Sequence, residues 1–212
     1  MKSQARGGTR WKRFAVVMVP SVGAAAAVTM AIAQGALAAS FQVSGQQFQI
    51  TAKHIHGEGF GQYGAMEDTD PKAKDHKPVA VVGMNDADIT KLCQAVNVPT
   101  PFGTVGLKLK AGGGGKKVHA KQLYLDANEM KVGNAQFNKI DIGVSSDHMT
   151  QGPGKNPGDV KKSVPNSFAQ QAETVEFDNV DQKAWATSSA SFTLPDLRMN
   201  ISMDEQVCKP GE

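Results

Sequence analysis

His54, His56 and Glu58 are the residues of this 212-residue chain best spaced for chemistry. Side chains two apart on a β-strand share a face. On a strand the three would present two imidazoles and a carboxylate together, a donor set that suits a divalent metal. The same spacing describes a solvated polar face opposite Ile50 and Ile55, and that is the expectation here, with no metal site and no cofactor. Ser145-Ser146-Asp147-His148 gathers a nucleophile, an acid and a base. Sequence neighbours point different ways, however, and a hydrolytic triad is assembled from separate segments. No G-x-S-x-G elbow is present. His148 is the only C-terminal base an ester hydrolase built on Ser145 or Ser146 would have. Asp75-His76 and His119 stand isolated among charges, and Asp68, Asp70 and Asp75 lack the spacing of a calcium loop.

Two glycine-rich stretches resemble nucleotide motifs without their context. Gly59-Phe60-Gly61-Gln62-Tyr63-Gly64 matches G-x-G-x-x-G, but AMEDTDPKAKDHKP follows where an apolar helix should open. A glycine-rich hairpin tip is the simpler reading. Gly112–Gly115 with Lys116 has Lys110 where a phosphate loop needs its first glycine and Lys117 where it needs Ser or Thr. It reads as a surface turn.

Electrostatics narrow the partners. The chain holds 23 Lys+Arg and 20 Asp+Glu. Lys2, Arg6, Arg10, Lys12 and Arg13 all precede residue 39, and no acidic residue lies among the first 38. Taking those five from the 23 leaves 18 basic against 20 acidic side chains, a body near −2. Such a body has no basic footprint for nucleic acid.

Those five cations precede an uncharged run, Phe14–Ala33, and then the small-residue site Ala36-Leu37-Ala38-Ala39. This is the arrangement of a secretory signal peptide cleaved after Ala38 or Ala39. An uncleaved signal anchor is the alternative, since the run can cross a bilayer core of roughly 30 Å. Residues 1–39 are thus a signal peptide or anchor, with an N-terminal export helix, and residues 40–212 form one β-rich extracellular domain. Cys93 and Cys208, the only cysteines, both lie in the exported part. In an oxidising compartment they are expected to pair. The bond would close a loop spanning more than half of the chain, worth up to about 4–5 kcal/mol by chain entropy.

The elements that must position these residues are mostly strands. Phe41/Val43, Phe48/Ile50, Val105/Leu107/Leu109, Leu123/Leu125, Val175/Phe177, Phe192/Leu194 and Leu197/Met199/Ile201 alternate with polar neighbours. Each strand therefore has one apolar face. Leu123, Met130 and Phe137 recur every seventh residue, with turn residues at Asp126-Ala127-Asn128 and Gly133-Asn134 between them. The spacing predicts a curved sheet in a meander or solenoid-like arrangement. One short helix is predicted near 86–97, where Ile89, Leu92, Cys93 and Val96 form a helical apolar face between Asn85-Asp86 and Pro99. A second short helix is predicted within 165–174.

Lys91-Leu92-Cys93-Gln94, Leu123–Ala127, Phe137–Gly143 and Lys183-Ala184-Trp185-Ala186-Thr187 carry a resemblance to a family. With the Ala-rich leader and the C-terminal Cys, the chain resembles a family of small exported actinobacterial proteins of unknown function, some automatically labelled cholesterol esterase. That label points towards lipid; the missing nucleophile elbow argues against catalysis. The function expected is that of an exported, non-catalytic cell-envelope or extracellular protein, secreted or cell-surface, binding a lipid, a membrane surface or another hydrophobic ligand. The alternatives are an exported ester hydrolase and a membrane-anchored partner of an integral membrane protein.

Overall fold

The computed structural model describes residues 45–68, 76–157 and 163–211. The leader with Ala38 and Ala39 lies outside the described residues, as do Asp70 and Asp75. Ten strands run β1 (Phe48–Asp68), β2 (His76–Thr90), β3 (Leu92–Thr100), β4 (Gly103–Ala111), β5 (Val118–Lys131), β6 (Asn134–Asn138), β7 (Asp141–Ser145), β8 (Phe168–Ser188), β9 (Ser191–Thr193) and β10 (Arg198–Ser202). They form one antiparallel sheet in the order β10-β4-β3-β1-β2-β5-β8-β6. β7 pairs with β8 and β9 pairs with β5. A further β1–β8 pairing makes β1, β2, β5 and β8 a closed circuit. Beyond it β3, β4 and β10 extend as a wing joined to the start of β1, with Phe48 opposite Val96.

The core lies inside the circuit, and a five-residue pattern builds it. Along β1 the inward residues are Ile50, Ala52, Ile55, Gly57 and Phe60. From β2 into β3 they are Val82, Met84, Ala87, Ile89 and Leu92. Along β8 they are Ala172, Val175, Phe177, Val180 and Gln182. The gaps alternate between two and three. Strict alternation would turn every second group outward, so each three-residue gap needs a local break that resets the phase. These breaks coincide across strands. Gly59 (φ 60°) stands level with Asn85, which stands level with Gln122 (φ 47°). Gly133 stands level with Asn179 (φ 53°), and its N–H donates to the Asp178 carbonyl at 2.8 Å. Breaking neighbouring strands at one level lets the ladder resume in register on both sides.

β5, β6 and β7 form in effect one line against β8. Tyr124 faces Ser188, Lys131 faces Asp181, Asn134 faces Asp178 and Asp141 faces Gln171, one step for one step. The line is interrupted at Val132-Gly133 and at Lys139-Ile140, where Lys139 has φ 52°. The seven-residue recurrence of Leu123, Met130 and Phe137 comes from this re-phased line, not from stacked solenoid coils. Asp126-Ala127-Asn128 is a register shift inside β5, not a turn.

The helix predicted near 86–97 is corrected. Residues 76–90 and 92–100 are strands separated by Lys91 in the left-handed region (φ 52°), and no described residue is helical. Ile89 and Leu92 enter the core, while Cys93 and Ala95 face the opposite side with Cys208. Two faces of a phase-shifted strand thus imitate one face of a helix. The helix predicted within 165–174 is likewise replaced, by β8 from Phe168. The glycine motif 59–64 lies inside β1, not at a hairpin tip. There Gly59 forms a break and Gly57 leaves room for its neighbours.

Candidate functional site

The residues flagged for metal chemistry sit on the outer face of the closed circuit. His54 and His56 in β1 stand opposite Asp178 and Glu176 in β8. On the other flank His56 is opposite Asp88 in β2, which is opposite His119 in β5. His54 Nδ1 lies 2.8 Å from Asp178 Oδ1 and its Nε2 lies 3.0 Å from Glu176 Oε2. Ionised carboxylates only accept, so Nδ1 donates to Asp178 Oδ1, while the Nε2 approach to Glu176 Oε2 is close without being a hydrogen bond. His56 Nδ1 lies 2.6 Å from Glu176 Oε1, and its Nε2 is 3.9 Å from Glu58 Oε1. His119 Nδ1 stands 2.5 Å from Asp88 Oδ1. His54 holds the Asp178 carboxyl below the usual carboxylate range, and Asn134, donating from Nδ2 at 3.3 Å, lowers it further. The ring nitrogens are turned to carboxylates rather than to one shared point, and no group able to hold a metal ion occurs among the described residues. The chemistry of this face is a cross-strand ladder of imidazole–carboxylate pairs bracing the β1–β8 seam.

The serine cluster is brought together only to be tied elsewhere. Ser146 is buried and its hydroxyl donates to the Val164 carbonyl at 3.4 Å. Ser167 Oγ donates to Ser146 Oγ at 3.1 Å. Asp147 is paired with Lys155 and accepts the Asn166 N–H, which together pull its carboxyl below the usual range. The His148 backbone N–H donates to the Ser145 carbonyl at 2.9 Å, while its ring is on the surface. Among the described residues no hydrogen bond joins that ring to either serine or to Asp147. The cluster pins the turn after β7 to the segment entering β8.

Aromatic side chains pack together at the core of the circuit. Phe60, Phe137 and Phe177 meet there edge to face, with ring centroids 5.4, 5.6 and 6.1 Å apart. Free apolar surface lies on the wing. β3, β4 and β10 put Val96 opposite Leu107, Val98 opposite Val105, Met199 opposite Leu109 and Ile201 opposite Leu107. Met199 is 60% and Ile201 66% exposed, and Phe102 at the β3–β4 turn is 90% exposed. Sequence reading found the alternation that makes this face but had no means of telling that no other described residue covers it.

The other face of the wing is covered by a C-terminal strap, residues 203–211. Cys93 and Cys208 stand at disulfide distance there, with Cα atoms 5.8 Å apart. Asn97 clasps Gln206 both ways, donating from Nδ2 to its carbonyl at 2.9 Å and accepting its N–H on Oδ1 at 2.7 Å. Lys108 Nζ donates to the Val207 carbonyl at 2.6 Å and Lys91 Nζ to the Gly211 carbonyl at 2.7 Å. A cleft of about 390 Å³ lies beside the strap, lined by Phe48, Ala95 and Val207 but also by Gln47, Gln49, Asn97, Lys183 and Gln206. Its mixed lining is poorer for a hydrophobic ligand than the open face of the wing.

No described helix is long and apolar enough to cross a membrane. No curated protein and no solved structure matches the chain. A family model does match, over residues 44–209, and so takes in every described strand, the histidine–carboxylate ladder and the strap through Cys208. The chain belongs to this family, DUF6230, a family of unknown function.

Proposed function

We propose that the protein is an exported, non-catalytic cell-envelope or extracellular protein whose partner is a lipid or other hydrophobic ligand taken on the wing. The observation that carries the reading is the row Val98, Met199 and Ile201 left in solvent on one sheet face, with Phe102 at its tip. Apolar side chains contiguous on a surface mark an interaction site more often than scattered ones do. Export is supported by the cationic, alanine-rich leader and by two cysteines at bonding distance, a pairing that favours an oxidising compartment. The non-catalytic reading is supported by what the candidate groups already do: Ser146 is bonded to Val164 and Ser167, and Asp147 is neutralised by Lys155. Organic extraction of the protein purified from its native host, followed by mass spectrometry, tests the reading. A stoichiometric lipid is the expected result, and its absence from material that also fails to bind lipid vesicles would remove it. Intact mass of the same material separates cleavage after Ala38 or Ala39 from retention as an anchor.

A further inference from the structure

We infer that the β3–β4 hairpin is a membrane-inserting tip, its partner the surface of a lipid bilayer, with Phe102 entering the headgroup–acyl boundary. This rests on the hydrophobic-ligand reading above and names its occupant. Leu92–Leu107 contains no charged residue and is bracketed by Lys91 and Lys108. The turn satisfies some of its polar groups internally: Thr100 Oγ1 donates to the Gly103 carbonyl at 2.6 Å and accepts the Phe102 N–H at 3.3 Å. Pro99 and Pro101 have no N–H to desolvate. A turn built this way loses little on leaving water, whereas unsatisfied backbone donors would oppose insertion. Ile201 and Met203 flank the same end, with the Met203 methyl 3.8 Å from where a Cβ on Gly103 would stand.

The route of the chain points to the bilayer rather than to a soluble partner. β1 runs antiparallel to β3 with Phe48 opposite Val96, and Gln47 lines the cleft beside Asn97, so passing back from Phe48 to Gln47 is passing forward along β3 towards Phe102. The first described residues thus lie towards the end where Phe102 projects, and the sequence that precedes them carries the uncharged run Phe14–Ala33. Lys91 and Lys108 donate to strap carbonyls, so apolar burial rather than attraction to anionic headgroups drives the contact.

The test uses the full chain with Trp11→Phe and Trp185→Phe, so that only the introduced Trp emits, phosphatidylcholine vesicles containing brominated acyl chains, and the variants Phe102→Trp and Ile142→Trp in that background. Ile142 is 67% exposed in β7 and serves as the control. The inference expects blue-shifted, bromine-quenched emission from Phe102→Trp alone, unchanged at high salt. It also expects Phe102→Ala to weaken vesicle partitioning about tenfold, the effect of losing one buried aromatic side chain. Phe102→Trp left unquenched, or both variants quenched alike, overturns it. So does a blue shift that follows protein concentration without vesicles, because a second copy then covers the tip. If extraction yields a stoichiometric lipid while Phe102→Trp stays unquenched, the tip falls and the hydrophobic-ligand reading stands. No lipid and no quenching fells both.

Discussion

The sulfur of Met84 occupies the space that a side chain at Gly57 would need: a Cβ built there would lie 2.6 Å from Met84 Sδ and 3.0 Å from Val175 Cγ1. Gly57 is one of the inward positions of β1, and Met84 and Val175 come from the strands on its two flanks. Glycine here makes room for close approach of three strands of the circuit.

Gly57→Ala should accordingly destabilise the domain by about 1–3 kcal/mol, the range for overpacking a filled core. The thermal midpoint should fall, and Gly57→Ala with Met84→Ala should recover part of the loss relative to Met84→Ala alone. A double-mutant cycle by urea denaturation measures the coupling. Additive effects would mean that Met84 is not the constraint.

On the wing, a Cβ at Gly106 would come within 2.3 Å of the Asp204 carbonyl oxygen and 2.7 Å of Gln206 Cγ. One of those contacts is backbone, so rotation of a side chain cannot relieve it. Gly106→Ala should push the strap off the sheet and break the Asn97–Gln206 clasp. Faster hydrogen exchange at the Gln206 and Cys208 amides is the readout, with the amides of β8 unaffected.

The ladder predicts an acid limb in stability. The folded Asp178 carboxyl lies below its unfolded value because His54 and Asn134 bond its charged form. A depressed carboxyl contributes stability that is present above the unfolded value of about 4 and is lost as pH falls through the folded one. The urea midpoint should therefore decline on acidification from about pH 4 downward. Asp178→Asn should flatten that decline and leave the slope of unfolding with denaturant unchanged. Equal acid limbs in the two proteins would assign the loss to other carboxylates, such as Asp147.

How much of this was legible follows from the five-residue step. Each strand segment shorter than a break reads correctly as alternating, so Phe48/Ile50, Leu123/Leu125 and Val175/Phe177 disclose a β protein. Across a break the two-residue rule fails, and Ile89-Leu92-Cys93-Val96 satisfies a helical template by mixing residues from two faces. Gly59 and Asn179 are residue types that favour positive φ, but Lys91, Gln122 and Lys139 are not, so those three breaks carry little local signal. A step of two then three between inward residues, repeated through 50–60 and 82–92, is the signal that would have identified β1 and the passage from β2 into β3 as extended. The histidine pair was visible as one face of a strand. Its acidic partners Asp178 and Glu176, more than a hundred residues away, depend on the β1–β8 register that no local pattern encodes. Exposure of Met199 and Ile201 follows from β10 being the last strand of its edge, again a property of topology.

The cysteine pair should matter chiefly through the unfolded chain. Cys93 and Cys208 are separated by 115 positions, so their bond restricts a long loop when the domain unfolds. Folded, the strap keeps further ties: Asn97 to Gln206, Lys108 to Val207, and the Cys208 N–H to Gln49 Oε1 at 3.0 Å. Cys93→Ser with Cys208→Ser should cost about 2–5 kcal/mol while the strands persist, so the far-UV spectrum should hardly change. Because the unfolded chain becomes more expanded without the link, the urea slope should rise as the stability falls. Asn97→Ala, which removes the clasp but not the link, should cost about 1 kcal/mol with no change in slope. A slope unaffected by losing both cysteines would place the stabilisation in folded packing around Ala95 instead.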